Sequence, residues 1–375
     1  MEKLKFLGKT ADERAFSKEV RENVNNYFKE NGISTKGNRK MWIKAFTMLL
    51  LYFLPFLCIL IWPVQAWLAI ILMVIMGIGE AGIGMSVMHD AAHGAFSSKP
   101  WVNKVMASSM NLLGSNVFNW QIQHNYLHHT FTNIYGYDPD IYTKAVIRLS
   151  GRAPLKRYHR FQYLYAYPFY GLMTLSKLLT DIGQLIEYGK EGFTREKKVS
   201  LKKEIARLLL IKVLYFSIVI GLPFVFTDFS WWQILIGFAI LHVTAGGIMG
   251  TVFQMAHVVQ EAEQAVPDAN HVIDHEWHVH QLVSTSDFAR DSKVLSWYVG
   301  GLNFQIEHHL FSHICHIHYP AIAPIVEKTA RKYHLPYHLQ PSFSGAFVSH
   351  MKRLKELGNH AHTVYSPKVS VNTGA

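Results

Sequence analysis

The sequence predicts an all-α integral membrane protein with four membrane-spanning helices in two hairpins and a His-rich helical cap on the cytoplasmic side. Two observations predict the hairpins: there is no Lys or Arg between residues 45 and 98, and none between residues 213 and 289. Soluble domains rarely leave such long stretches without basic residues. The third observation is the 22 His among 375 residues, which lie mostly outside these stretches.

Each hairpin contains two apolar segments long enough to cross a hydrocarbon core of about 30 Å. The predicted spans are residues 41–62, 64–88, 205–226 and 231–256. Residues 161–180 are apolar but rich in Tyr, so we expect a helix at the membrane surface rather than a further span.

The basic residues predict the orientation. Lys and Arg fall in residues 1–44, 99–212 and 290–375, which four spans place on one side. By the positive-inside rule this side is cytoplasmic, at the inner membrane of a bacterium or the endoplasmic reticulum of a eukaryote. The formal charge of +11 is therefore assigned to this surface and to anionic lipid rather than to nucleic acid.

Three regions are expected along the chain. Residues 1–40 read as a cytoplasmic N-terminal segment, residues 41–330 as the catalytic domain, and residues 331–375 as a cytoplasmic C-terminal segment whose tail after Pro367 is disordered. The two cysteines, Cys58 and Cys315, are too far apart in sequence to indicate a disulfide framework or an iron–sulfur centre.

Three compact clusters carry the chemistry: HDAAH at residues 89–93, HNYLHH at residues 124–129 and QIEHH at residues 305–309. Positions i, i+3 and i+4 share one face of an α-helix, so each cluster could direct two or three imidazoles into one small volume. The topology puts all three on the same side of the membrane.

Seven imidazoles are too many for one tetrahedral zinc ion and suit two metal ions. Imidazole binds zinc, copper, iron and nickel. The Glu-x-x-His motif of soluble di-iron bundles is absent from the sequence, as is the His-Glu-x-x-His motif of zinc proteases.

These clusters resemble the three histidine boxes of membrane fatty acid desaturases. The text around them is also similar: GAFS follows the first box, TFTN the second and LF the third. The resemblance covers about residues 40–330. It implies an O2-dependent enzyme with two non-haem iron ions that introduces a cis double bond into the acyl chain of a lipid or of acyl-CoA.

The resemblance also implies the ligands. Carried over by position, they are His89, His93, His124, His128, His129, His308 and His309, with His257 after the last span. Gln305 stands where many members have a histidine, a departure typical of enzymes that act between an existing double bond and the carboxyl end. Its carbonyl oxygen is a candidate for a further ligand.

Other polar residues are expected to support the site or to lie on the surface. Candidates to orient ligand imidazoles are Asp90, Asp138, Asp140 and Glu307. Supporting or surface positions are expected for His271, His275, His278, His280, His313, His316 and His318. The first three could share one face of a helix.

The sequence lacks the His-Pro-Gly-Gly motif of a fused haem domain, so a separate ferredoxin-like or cytochrome electron donor is expected. A hydroxylase or ketolase with the same metals is an alternative, because it would share the first hydrogen abstraction. A metal- or haem-binding transporter is a second alternative, in which polar ligands should line a path within the spans.

A dinucleotide-binding fingerprint, G-x-G-x-x-G, occurs at residues 77–82. It lies inside an apolar span rather than between a strand and a soluble helix. We therefore expect these glycines, and likewise Gly246 and Gly250, to serve close helix packing. Glu80, within the same span, has no role that the sequence defines.

Overall fold

The computed structural model describes residues 4–142 and 146–360, so the tail predicted to be disordered lies outside the described residues. The described residues are mainly helical, and four of the helices are long and apolar enough to cross a membrane. These are span 1, Arg39–Ile61, span 2, Ala66–Ala92, span 3, Leu201–Phe226, and span 4, Trp231–His257. The predicted fold class, an all-α membrane protein with four spans, is confirmed.

Span 2 departs most from its predicted limits, because it continues to Ala92 instead of ending at residue 88. Its last part is six residues of π-helix, Ile83–Met88, followed by one turn of α-helix, His89–Ala92. The first histidine cluster therefore begins within the last turn of the span and not beyond it. The end of span 2 thus determines where the imidazoles of this cluster lie.

Span 2 packs against both span 1 and span 4, and its glycines permit the close approach. A Cβ atom on Gly79 would lie 2.6 Å from the backbone nitrogen of Tyr52, and one on Gly77 would lie 2.7 Å from the carbonyl oxygen of Leu241. The expectation that the G-x-G-x-x-G glycines serve helix packing is confirmed.

Span 4 approaches the helix that ends at Tyr170 in the same way. A Cβ atom on Gly246 would lie 2.5 Å from the carbonyl oxygen of Gly171, and one on Gly250 would lie 2.8 Å from the Cβ atom of Tyr170. The predicted packing role of both glycines is therefore confirmed.

The cap consists of shorter elements. Its α-helices are Ala11–Glu30, Pro100–Ala107, Val117–Trp120, His129–Phe131, Gln162–Tyr170, Met173–Lys190, Phe193–Glu196, Trp277–Ser284, Lys293–Tyr298, Gln305–Leu310, Tyr319–Lys332 and Phe343–Asn359. Its other helical segments are the π-helix Gln121–His128 and the 3₁₀ helices Ser108–Leu113, Pro139–Ile141, Arg157–Phe161 and His316–His318. Span 3 includes a third π-helical segment, Ser217–Gly221.

Two pairs of very short parallel strands tie distant parts of the cap together. Lys5–Phe6 pairs with Val272–Ile273, and Asp287–Phe288 pairs with Leu339–Gln340. The second pair lies beside the helix that carries the third histidine cluster, because Asp287 accepts a hydrogen bond from the backbone nitrogen of Ile306 at 3.0 Å.

The N-terminal helix Ala11–Glu30 docks on the helix Tyr319–Lys332. Thr10 begins it by accepting a hydrogen bond from the backbone nitrogen of Glu13 at 3.2 Å, as an N-cap residue does. Apolar side chains spaced along one face of the helix are fully or almost fully buried in this contact: Phe16, Val20, Val24 and Phe28.

The region predicted to lie at the membrane surface forms two helices, Gln162–Tyr170 and Met173–Lys190, and neither qualifies as a span. Large apolar side chains such as Leu164 and Leu179 are exposed on them. The predicted domain limits at residues 40 and 330 stay a prediction, since the helices before and after them pack onto the same cap.

Candidate metal centre

The first histidine cluster lies at the end of span 2. The rings of His89 and His93 meet edge to face, with their centroids 4.8 Å apart and their planes at 66°. Both follow a π-helical stretch, and such segments are frequent at functional sites because they re-aim the residues after them. The bounds of span 2 therefore fix where this pair of imidazoles can reach.

The second cluster lies on a π-helix, Gln121–His128, and not on the α-helix that its spacing predicts. A π-helix closes its turn over five residues, so His124 and His129 come together with their Nε2 atoms 3.2 Å apart. His128 stays close to His124, with ring centroids 5.3 Å apart, and it also reaches a second group of imidazoles.

The first group contains residues from all three clusters. Nitrogen atoms of His89, His93, His124 and His308 all lie within 4.8 Å of one another. The Nε2 atoms of His89 and His124 are 3.1 Å apart. His129 joins this group through its contact with His124, and its ring centroid is 4.6 Å from that of His308.

The second group joins the end of span 4 to the other two elements. Nitrogen atoms of His128, His257 and His309 lie within 4.8 Å of one another. The Nε2 atom of Gln305 is 2.9 Å from Nε2 of His257 and 3.4 Å from Nε2 of His309. All four side chains are buried. The structure thus brings His257 and Gln305, which belong to different segments, to the same point.

The two groups are neighbours. The ring of His129, from the first group, stacks on that of His309, from the second, with centroids 4.4 Å apart and planes 23° apart. Every residue that the sequence predicts as a ligand therefore lies in one of these two adjacent groups. Together the groups contain His89, His93, His124, His128, His129, His257, Gln305, His308 and His309.

The state of these rings suits metal binding. Burial and then the neighbouring imidazoles lower the pKa of His124, His129, His308 and His309 well below the usual range, so these rings are neutral. Among the described residues, buried Nε2 of His308 has no hydrogen-bond partner. A buried nitrogen with a free lone pair is costly unless it binds something, and neutral imidazole is a ligand for transition metals.

Comparisons with known proteins agree with this geometry. The family model described as fatty acid desaturase matches residues 65–341. The chain is 33% identical to the sn-1 linoleoyl-lipid 6-desaturase of Synechocystis sp., across 95% of this chain and 98% of that protein. The chain belongs to the fatty acid desaturase family.

Two further relatives of this desaturase are informative. This chain is 32% identical to the sn-1 linoleoyl-lipid 6-desaturase of Arthrospira platensis, across 93% of this chain and 94% of that protein. It is 33% identical to the acyl-lipid (8-3)-desaturase of Physcomitrium patens, across 93% of this chain and 72% of that protein. The chain is thus a membrane enzyme that desaturates fatty acyl chains, and its family uses iron.

Carboxylates orient one imidazole of the desaturase. Nδ1 of His128 lies 3.1 Å from both carboxylate oxygens of Asp138 and 3.5 Å from Oδ2 of Asp140. Burial disfavours a charge on His128, but the two carboxylates outweigh it and raise the pKa of His128 to about 9. Both aspartates therefore contact a ligand candidate, as the sequence predicted.

Glu307 does not orient an imidazole, contrary to its prediction. Its carboxyl group accepts a hydrogen bond from the hydroxyl of Tyr337 at 2.9 Å, and the same hydroxyl contacts Asp287 at 2.6 Å. Glu307 points away from His308 because adjacent residues of a helix face different directions. Burial, and then the charge of Asp287, raise the pKa of Glu307 well above its usual range.

Three residues that hold imidazoles were missed by the sequence analysis. Gln281 accepts from Nδ1 of His309 at 2.8 Å, the hydroxyl of Thr132 lies 3.2 Å from the same atom, and the hydroxyl of Tyr319 lies 3.3 Å from Nδ1 of His308. Thr132 belongs to the TFTN segment after the second box, which was a signal. Nothing in the single sequence marks Gln281 or Tyr319.

Of the histidines predicted to have supporting or surface positions, some are buried beside the site and others lie nearer the surface. His271 and His275 precede the helix Trp277–Ser284, so the expectation that they share a helical face with His278 is wrong. His313 is exposed, and His275 and His278 contact Glu13 and Glu276. His280 is buried, with Nε2 at 2.9 Å from the carbonyl oxygen of Thr132. His316 and His318 lie beyond the third box, and His316 contacts Asp90.

Proposed function

We propose that this desaturase holds two iron ions, one in each imidazole group, and uses O2 to introduce a double bond on the carboxyl side of an existing one. The convergence of imidazoles from three separate segments into two adjacent groups carries the proposal. His89, His93, His124, His129 and His308 would hold one ion. His128, His257, His309 and the carbonyl oxygen of Gln305 would hold the other.

The chemistry requires a redox metal because an unactivated methylene has neither an acidic proton nor a polarised bond. Iron bound at the imidazoles supplies the activation of O2 that breaks such C–H bonds. The overall balance is one acyl chain, one O2, two electrons and two protons giving the unsaturated chain and two water molecules. The residues of this chain fix which carbon pair reacts by holding the imidazoles in place.

Gln305 has the geometry for a ligand of the second group. Its Oε1 is buried without a hydrogen-bond partner among the described residues, while its Nε2 faces His257 and His309. Amide oxygen and nitrogen occupy nearly the same shape, so half a turn of the amide directs the carbonyl oxygen at the same two rings.

The substrate is proposed from the relatives. Two of them are named sn-1 linoleoyl-lipid 6-desaturases, and the region shared with this chain covers 98% and 94% of their lengths. We propose a linoleoyl chain esterified to a membrane lipid as the substrate, with the new double bond at carbon 6. A different carboxyl-side position remains the alternative, because other relatives are named (8-3)-desaturases.

Expression in a host without polyunsaturated lipids tests this function. With linoleate supplied, extracted lipids should contain a new trienoic acid whose double-bond positions mass spectrometry assigns, and a lipase specific for the sn-1 position should release it. His308→Ala should abolish the product, while His313→Ala, at an exposed histidine, should retain it. A product heavier by one oxygen would favour the hydroxylase alternative, and free linoleoyl-CoA as the preferred substrate would contradict the lipid ester.

We also propose that the imidazole groups lie on the cytoplasmic side and receive electrons from a separate acidic protein of the ferredoxin or cytochrome type. In support, spans 2 and 4 end at the site, and four crossings would leave the segments rich in Lys and Arg on that same side. An acidic donor would be attracted to this basic surface. The reduction rate with a purified donor should fall as salt rises, whereas a salt-independent rate would contradict charge-guided docking.

A further inference from the structure

A buried chain of three polar side chains runs from span 1 to the first histidine cluster. The Nζ atom of Lys44 is 2.5 Å from Nε2 of His316, and Nδ1 of His316 is 2.8 Å from Oδ2 of Asp90. All three residues are at most 3% exposed. Charged groups are seldom buried so completely without partners, so these contacts need a physical account.

The direction of each hydrogen bond is fixed by chemistry. A lysine ammonium group only donates, so Nε2 of His316 must accept from Lys44. The single proton of the neutral ring is then on Nδ1 and donates to Asp90. The backbone nitrogen of His316 donates to the same carboxylate oxygen at 3.2 Å. Burial lowers the pKa of His316, which agrees with a neutral ring.

The other oxygen of Asp90 faces a ligand candidate. Its Oδ1 lies 3.8 Å from Nδ1 of His89, beyond hydrogen-bond distance, and that nitrogen has no hydrogen-bond partner among the described residues, so this carboxylate oxygen is the charged group beside it. A carboxylate beside Nδ1 favours the tautomer with its proton there. Nε2 of His89 then keeps a lone pair, and this atom is the one that faces His124 in the first imidazole group.

We propose that Lys44 and His316 are positioning residues that act through Asp90 to hold His89 in its metal-binding tautomer and orientation. The inference rests on the proposed role of His89 as an iron ligand. Lys44 donates to Nε2 of His316 and so fixes the proton of that ring on Nδ1, and His316 donates this proton to Asp90, which connects span 1 to span 2. Neither Lys44 nor His316 touches a metal or the substrate.

A separate metal site is the competing account of the same residues. Asp90, Cys315 and His316 offer atoms within 4.8 Å of one another. However, both nitrogens of His316 are engaged, Nε2 by Lys44 and Nδ1 by Asp90. An ammonium group at hydrogen-bond distance would also repel a cation. The geometry therefore favours an orienting chain over a third metal ion.

Two substitutions at one position separate orientation from packing. Gln at position 316 can accept from Lys44 with its carbonyl and donate to Asp90 with its amide, whereas Leu can do neither. His316→Gln should therefore retain iron affinity within about threefold, and His316→Leu and Lys44→Met should each weaken it about tenfold, as loss of an outer partner of a ligand does. Lys40→Met, at an exposed lysine of the same span, is the matched control.

The measurements use full-length protein in detergent. Iron affinity is measured on metal-depleted protein by competition with a chelator, and the visible spectrum of bound cobalt(II) reports the coordination of the imidazoles. We expect the cobalt spectrum to change in His316→Leu and Lys44→Met, and to be kept in His316→Gln and Lys40→Met. Melting of the metal-free proteins separates a folding defect from a changed site.

The outcomes are distinct. Equal iron affinity and equal cobalt spectra in His316→Leu and His316→Gln would overturn the proposal, and so would a lower melting temperature in Lys44→Met with an unchanged spectrum. If Lys44→Met does not fold, the two variants at position 316 still decide. Failure of the unsubstituted protein to bind iron would instead refute the proposed function.

Discussion

Asp138 contacts His128 with both carboxylate oxygens, each 3.1 Å from Nδ1 of the ring. The contact is possible because the chain turns back after the second histidine box, where the backbone nitrogen of Asn133 also donates to Asp138 at 2.8 Å. A proton on Nδ1 leaves the lone pair on Nε2, and the ring lies beside those of His257 and His309, with centroids 4.7 Å and 5.0 Å away. One buried carboxylate therefore sets both the tautomer and the direction of an imidazole.

We predict that Asp138→Asn weakens iron binding about 10- to 100-fold, because the amide neither stabilises the Nδ1 proton by charge nor fixes the ring as firmly. Chelator competition on metal-depleted protein measures the affinity. Asp291→Asn, at an exposed carboxylate, is the control and should match the unsubstituted protein. An Asp138→Asn protein with unchanged affinity would show that Asp138 serves only to shape the turn.

Gln305→Leu should remove a ligand from the second group alone. We expect iron content to fall from about two ions per chain toward one, with the first group of imidazoles still loaded, because Leu is similar in size but has no oxygen. Elemental analysis of purified protein gives the stoichiometry. Gln305→His, which restores a nitrogen ligand, should keep two ions. Two full equivalents of iron in Gln305→Leu would exclude Gln305 as a ligand.

Gly79→Ala should destabilise the protein by about 1–3 kcal/mol, because the new methyl group would meet the backbone of span 1 at 2.6 Å and force the two spans apart. Gly237→Ala is the matched control in span 4. There the nearest atom, in the side chain of Met73, is 3.5 Å away, which is ordinary contact. Thermal unfolding in detergent measures both, and equal melting temperatures would contradict close packing at Gly79.

His350 should make stability depend on pH. It is buried, with Nε2 2.8 Å from the hydroxyl of Tyr170 and Nδ1 2.7 Å from the carbonyl oxygen of Val258. Burial lowers its pKa to about 4, below the ordinary value of 6.5, so the folded form resists protonation where the unfolded form accepts a proton. Its contribution is therefore complete above pH 6.5 and falls as pH decreases toward 4.

The comparison of the unsubstituted protein with His350→Gln isolates this contribution, since both share every other histidine. The free energy of unfolding should differ most near pH 7.5, and the difference should shrink by up to about 1.4 kcal/mol per pH unit between pH 6.5 and 4. A difference that stays constant from pH 7.5 to pH 5 would mean that His350 does not titrate differently in the two states.

The sequence predicted the spans and the ligand candidates because both leave local signals. Long runs without Lys or Arg locate the spans, and the boxes are dense enough to stand out from other histidines. The division of the imidazoles into two groups could not be predicted in this way. It depends on the π-helix at Gln121–His128 and on the packing of segments that are distant in sequence, neither of which the spacing of the histidines reveals.

The supporting residues were harder still. Asp138 lies ten positions from His128, near enough to be suspected, but Lys44, Gln281 and Tyr319 come from other segments of the chain. Their partners are decided by how span 1 and the late helices pack around the boxes. Lys44 in particular reads in sequence as the basic edge of a span, where such residues usually meet lipid headgroups.

The docking of the helix Ala11–Glu30 on Tyr319–Lys332 has a consequence for synthesis. The apolar face of the first helix emerges from the ribosome roughly 290 residues before its partner, a delay of roughly 15–60 s at ~5–20 residues per second. The buried cluster that covers Phe16, Val20, Val24 and Phe28 begins at Val279, so most of that delay passes before any of its other members is made. This part of the cap can therefore assemble only late in translation, and nascent chains should need a chaperone or the bilayer surface to shield this face until then.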